Sequence, residues 1–353
     1  MTASAAQFRA LIATVTAPTV FLAELPVTNL SYTTALNSAG TASVQMPLVA
    51  PGAPDIAAGS TVLWIERDGA LVFGGIVWTV AGDAGQNTAT VNAGDFLTYL
   101  NRRLIRTTQT FTAADQLDIA RALVDYANAV PDALDIIGTA GTNVSGVTRT
   151  QTFASWERKN VGQALEQLAA VNDGFDFVLE LTYQGNTPTV ELVLKSPNTG
   201  TATDHVFDLE ANIETLSFTA NASQLATQVD ALGAGEGPNK RVATATQASS
   251  AYALTQAAVS TPDITDTAGL TAIAKRQLAL RRAPITAVSA VIRPDVAPLP
   301  GTYAVGDITQ LRAKRGFLNV AGDYRITTLA TTFANNQERI TATFAEAAAF
   351  VTL

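Results

Sequence analysis

The chain has 353 residues, 47% of them hydrophobic and only 15% charged, with a net charge of −8, no cysteine and one histidine. This excludes disulfides, thiolate chemistry and cysteine metal sites, and the acidic balance argues against a surface built to grip phosphate backbones. No apolar run of about 18 residues is present, so no membrane-spanning helix is expected, and Met1-Thr2-Ala3-Ser4 lacks the basic and apolar regions of a signal peptide.

Residues 1–106 read as β structure. A strand is expected at 20–25. Alternating stretches at 30–36 and 41–46 flank Asn37-Ser38-Ala39-Gly40, a hairpin signal. Pro47, Pro51, Gly52 and Pro54 mark a loop. Val62, Trp64, Ile76, Trp78 and Val80 then alternate with polar or small residues, the pattern of half-buried strands. Short antiparallel strands with regular turns predict a small barrel or sandwich.

Residues 107–200 differ. Thr112 is placed to cap a helix over 113–127, with Leu117, Ala120, Leu123 and Val124 on one stripe, Asp115 and Asp118 in its first turns, and Pro131 beyond its end. A second helix is expected from 160 to about 171, with Val161, Leu165, Leu168 and Ala169 on one stripe and Asn172-Asp173-Gly174 ending it. Strands at 175–183 and 189–194 pair across Gln184-Gly185-Asn186. This is an α+β insert.

Residues 201–353 return to β, with strands at 206–209, 213–220 and 225–232 and a flexible junction at 233–238. A helical insertion is expected around 263–282, starting at Asp263, with Leu270, Ile273, Ala274, Gln277 and Leu278 on one face and Pro284 after it. The chain closes on a repeat. Residues 59–94 and 306–346 each read strand, turn, long strand, turn, strand, and Leu30-Ser31-Tyr32-Thr33 before the first copy echoes Leu216-Ser217-Phe218-Thr219 before the second. The expected fold is mainly β with an α+β insert: two related β-barrel domains separated by a smaller α+β domain.

No constellation for catalysis, cofactor or metal binding emerges. His205, beside Asp204, has no G-x-S-x-G serine to serve. Gly233-Ala234-Gly235-Glu236-Gly237, with Lys240 and Arg241 following, misses the phosphate-loop spacing and carries a repelling Glu236. Arg102-Arg103 and Arg281-Arg282 read as exposed or salt-bridged pairs or as subunit contacts. Asp173, Asp176 and Glu180 cluster in sequence without a calcium-loop pattern, and read as a solvated face. Trp64 and Trp78 sit on alternating strands, where a core or interface role is common, while Trp156 offers a stacking surface.

The segment Gly75-Ile76-Val77-Trp78, the run Val91-Asn92-Ala93-Gly94-Asp95-Phe96-Leu97-Thr98-Tyr99-Leu100-Asn101-Arg102-Arg103-Leu104-Ile105, the glycine-rich stretch 233–237 with Arg241, and the closing Gly306-Asp307, Gly322-Asp323-Tyr324-Arg325-Ile326 and Glu338-Arg339-Ile340 together resemble the tail hub, or minor tail, proteins of long-tailed actinobacterial phages. That family is similar to contractile-phage baseplate hubs and type VI secretion spike-base proteins. The resemblance implies two β-barrel tube domains per subunit and a homotrimeric ring with pseudo-sixfold symmetry at the virion tail tip. It implies an acidic lumen through which DNA passes unbound, and the distal tail ring, other tail-tip proteins and the tape measure protein as neighbours. It implies a structural protein, not an enzyme. The competing readings are a carbohydrate-binding or adhesive β module using exposed aromatics, and a cell-wall hydrolase using a carboxylate pair that includes Asp176.

Overall fold

The computed structural model describes residues 6–49, 51, 56–129, 133–139, 141–171, 173–197, 201–247, 251–262, 264–283, 285–316 and 318–347. Gly52, Pro54, Pro131, Asn172, Asp263 and Pro284, named above as turn or boundary signals, lie outside them. Two β units share one 13-stranded sheet. The first contains β1 (Phe8–Thr14), β2 (Ala23–Leu25), β3 (Asn29–Ala35), β4 (Thr41–Pro47), β5 (Thr61–Arg67), β6 (Ala70–Asp83), β7 (Thr88–Asp95) and the short helix α1 (Leu97–Leu100). β1 was not predicted, and the strand expected at 20–25 shortens to β2. Both antiparallel to β1 partners are long-range or local strands of this unit: β5 runs along its whole length and β2 along part of it.

The middle segment contains β8 (Gln109–Asp115), α2 (Gln116–Asn128), β9 (Ile137–Thr139), β10 (Thr148–Phe153), α3 (Val161–Ala169), β11 (Asp176–Gln184) and β12 (Thr187–Lys195). α2 starts later than expected, and its cap is Asp115, whose Oδ1 accepts from the Leu117 N–H at 2.9 Å. Thr112 instead lies in β8, where pairing with β10 shifts register and Ala113 takes φ 48°. A helix cannot propagate through that left-handed residue. The expected apolar stripes of α2 and α3 are buried, and Asn160 caps α3 by accepting from the Gln163 N–H at 2.8 Å.

The last third contains β13 (Thr201–Asp208), β14 (Ile213–Asn221), β15 (Gln228–Leu232), β16 (Val242–Thr246), β17 (Gln256–Ser260), α4 (Thr267–Arg281), β18 (Ile285–Ile292), β19 (Asp307–Arg315), β20 (Leu318–Ala334) and β21 (Gln337–Glu346). α4 begins after Asp266, which caps it by accepting from the Gly269 N–H. β15, β16 and β17 form their own small sheet, and α4 shares a core with it through Leu270, Ile273, Ala274 and Leu278. This body stands between β14 and β18. In the first unit the corresponding connection is the short turn between β3 and β4.

The duplication read in the sequence is a duplication of topology. The antiparallel path β3-β4-β7-β6-β5 in the first unit matches β14-β18-β21-β20-β19 in the second. Both long strands carry a register shift at the same place, between Val77 and Thr79 in β6 and between Ile326 and Thr328 in β20. Counting from it, the row Leu30, Val44, Val91, Val80 corresponds to the row Leu216, Ala290, Ala342, Leu329. The two Leu-Ser-aromatic-Thr echoes therefore occupy the same position in the two units. The flanks differ: β13 pairs parallel with β19, whereas β1 pairs antiparallel with β5.

Each unit curls around its own core, since strands from both ends of its path contribute to one cluster. Ile12, Leu30, Val44, Ile65 and Val91 meet in the first, and Phe207, Ile213, Ala290, Leu311 and Phe344 in the second. The hydrogen-bonded path among the described residues runs from β2 to β14. β5 is buried on both faces rather than half-buried as its alternation suggested. Leu63 and Ile65 face the first unit's core, while Val62 and Trp64 join a second cluster with α2, α3 and the β9, β11 and β12 strands. The middle segment thus covers one side of the first unit.

Candidate functional site

The two units meet edge to edge. β20 is long enough to serve two partners: Leu318 to Arg325 pair with β19, and Thr328 to Ala334 pair antiparallel with β3 of the first unit, Thr331 opposite Tyr32 and Phe333 opposite Leu30. Phe8 and Phe333 meet at 4.9 Å between ring centres, tilted by 43°, across this junction. Beside it Arg67 donates from Nε and Nη2 to the two Glu338 carboxylate oxygens, both at 2.8 Å. A cavity of about 370 Å³ opens here, lined by Tyr32, Arg67, Tyr303 and Glu338 among others. Burial raises the Tyr303 phenol above its ordinary pKa, and its hydroxyl has no hydrogen-bond partner among the described residues.

A second junction joins all three parts of the chain. Asp176, at the start of β11, forms a buried ion pair with Arg325 of β20. Its Oδ1 also accepts from Asn37 Nδ2 at 2.8 Å, and Asn37 Oδ1 accepts from the Phe177 N–H at 2.7 Å. Arg325 Nε donates to the Gly306 carbonyl at 3.2 Å. Farther along β11, the Tyr183 hydroxyl donates to Glu66, which also pairs with Arg9 at 3.0 Å. Burial, then the Glu66 hydrogen bond, raises the Tyr183 phenol well above its ordinary pKa.

The residues weighed in the sequence fall at separate places. His205 Nε2 lies 2.7 Å from the Thr302 carbonyl, and its ring meets Tyr303 edge-on. The 233–237 stretch is a turn: Gly235 and Gly237 take φ 110° and 53°, and the Ala234 N–H donates to the Ile264 carbonyl. Arg102 stacks on Trp78 at 4.0 Å, and Trp78 donates to Thr98 Oγ1 at 2.9 Å. Arg281 lies in the last turn of α4 and Arg282 caps it. Trp64 is fully buried, donating to the Pro18 carbonyl at 2.8 Å. Trp156 is 78% exposed.

The Asp173, Asp176 and Glu180 grouping does not form a solvated face. Asp176 is buried and committed to Arg325, while Glu180 is exposed. The cause is the burial of Arg325 on the strand face opposite Tyr324 and Ile326, against the start of β11, which requires a buried acid. Sequence reading missed Arg67, Glu338 and Arg325. Alternation alone sets Arg325 on the face opposite the core residues Tyr324 and Ile326; the available signal was the repeat, since Arg325 holds the place that the apolar Ile76 holds in the first unit. Among the described residues no group of three or more His, Asp or Glu side chains is placed to hold a metal ion, and no helix is long and apolar enough to cross a membrane.

The Siphovirus ReqiPepy6 Gp37-like protein family matches residues 26–344. The chain belongs to this family. No curated protein matches the sequence. Among solved structures, the fold is similar to the 43 kDa tail protein of prophage MuSo2 from Shewanella oneidensis, at 12% identity and TM-score 0.67, covering 97% of this chain and 99% of that one. It is similar to prophage tail protein gp18 from Listeria monocytogenes, at 14% identity and TM-score 0.60, covering 95% and 94%. It also resembles a component of the E. coli type VI secretion system, itself described as similar to T4 tail proteins gp27 and gp5, at 9% identity and TM-score 0.53, covering 94% and 76%. The chain is thus a member of a siphovirus protein family and carries the fold of these phage-tail proteins.

Proposed function

We propose that three copies close into a ring at the phage tail tip, in which the two β units of each copy occupy six near-equivalent positions. The observation that carries this reading is the β20–β3 junction, which sets two topologically matched units side by side within one chain. A closed ring of such chains presents threefold symmetry by subunit and near-sixfold symmetry by unit, which adapts a sixfold tube to a threefold tip. Residues 1–106 and 201–353 then act as the tube domains. Residues 107–200 face outward and hold neighbours, among them the distal tail ring, other tail-tip proteins and the tape measure protein. The net charge of −8 supports a lumen that repels DNA, so the genome passes without binding. The role is structural rather than catalytic.

Light scattering on the isolated chain and subunit counting in purified tails test this reading. Three times the 36.8 kDa chain mass, or three copies per tail tip, is expected. Two, four or six copies per tip overturn it.

A further inference from the structure

The cavity beside the Arg67–Glu338 pair is built by every part of the chain. Its floor crosses the junction of the two units: Tyr32 of β3, Thr331 of β20 and Ile340 of β21 stand opposite one another in neighbouring strands. One wall is the β11–β12 hairpin, where Val178 pairs with Val193. Both lie on the hairpin face opposite Phe177, Leu192 and Leu194, which fill the middle segment's own core. Val72 of β6 contributes from the first unit, and residues 300–305 close the remaining side from the second.

We propose that this cavity is a binding site for an uncharged, largely apolar small molecule. Its volume of about 370 Å³ falls within the range of about 300–1,000 Å³ typical of small-molecule sites, and a junction between domains is a common place for one. The lining selects against a charged guest. Arg67 and Glu338 neutralise each other through two hydrogen bonds, and the other two charged residues of the lining, Glu180 and Lys195, are exposed and of opposite sign. A charge carried into the cavity would shed its water and find no uncommitted partner there. The Tyr303 hydroxyl is itself buried, so that residue offers the guest its ring.

A guest that touches the floor, the hairpin and the 300–305 segment at once binds only the arrangement in which the two units and the middle segment are docked together. Its binding free energy therefore adds to the stability of that arrangement. The site lies within one chain, so it stands whether or not copies close into a ring.

The test is fluorescence titration of the full-length chain with phenylnaphthylamine, an uncharged probe that brightens in apolar surroundings, beside its sulfonated counterpart, anilinonaphthalene sulfonate. One phenylnaphthylamine per chain is expected, with the sulfonate bound roughly tenfold or more weakly. Val193→Trp puts a larger side chain into the cavity and is expected to weaken binding by roughly tenfold or more. Val144→Trp, at a position 68% exposed on the middle segment, is expected to leave it unchanged. The probe should also raise the thermal unfolding midpoint of the wild type and not that of Val193→Trp. Val72→Phe takes the place of Val193→Trp if circular dichroism shows that the latter does not fold. No saturable binding, equal binding of the two probes, equal affinity in the cavity-filling and Val144→Trp variants, or an unmoved wild-type midpoint overturns the site.

Discussion

Arg67 and Glu338 lie 271 residues apart and meet in a two-pronged ion pair with both N···O distances at 2.8 Å. One belongs to the first β unit and the other to the second, so the pair clamps the junction between them. The Glu338 side chain is 6% exposed and that of Arg67 is 20% exposed. Removing Glu338 leaves Arg67 with only the more exposed Asp68, at 3.0 Å, and removing Arg67 leaves the Glu338 carboxylate withdrawn from water. Glu338→Ala is expected to lower unfolding stability by about 2–4 kcal/mol in denaturant titration, and Arg67→Met with Glu338→Leu by less than Glu338→Ala alone. An additive double variant would show that the clamp does not couple the units.

The Asp176–Arg325 pair is more deeply buried and ties the middle segment to the second unit. Asp176→Asn takes the carboxylate from the buried Arg325, which keeps its hydrogen bond to the Gly306 carbonyl. Its expected cost is about 3–5 kcal/mol, with partial recovery in Asp176→Leu, Arg325→Met. Native-state hydrogen exchange checks where the effect appears: the start of β11 and residues 304–308 should lose protection together.

Asp95 gives a pH signature. Its carboxylate accepts from the Gly40 N–H at 2.6 Å and the Leu97 N–H at 3.0 Å, yet burial outweighs these bonds and lifts its pKa to about 7. The folded chain therefore keeps a proton that the unfolded chain releases near pH 4. This contribution to stability is complete below about pH 4 and is lost as pH rises to about 7, with a slope of at most about 1.4 kcal/mol per pH unit. The difference in unfolding free energy between the wild type and Asp95→Asn should follow that curve. A difference independent of pH would show that Asp95 is ionised throughout.

The repeat was legible because alternation and turn residues are local signals, and the Leu-Ser-aromatic-Thr echo marked equivalent strands before any pairing was known. Two kinds of feature were not legible. β5 is buried on both faces because the middle segment lies over Val62 and Trp64, a packing no alternation within 61–67 reveals. The start of α2 was displaced because β10 pairs with β8 and the left-handed Ala113 blocks the helix. The junction residues Arg67, Glu338, Asp176 and Arg325 each look like ordinary surface charges until their partners, distant in sequence, are placed beside them.

The central claim is that two matched β units per chain occupy equivalent places around one axis. A cryo-EM map of the tail tip measures this directly. The account predicts three copies, with the units containing Leu30 and Leu216 alternating at a single radius around a threefold axis. Units at two different radii, or an axis that is not threefold, would contradict it.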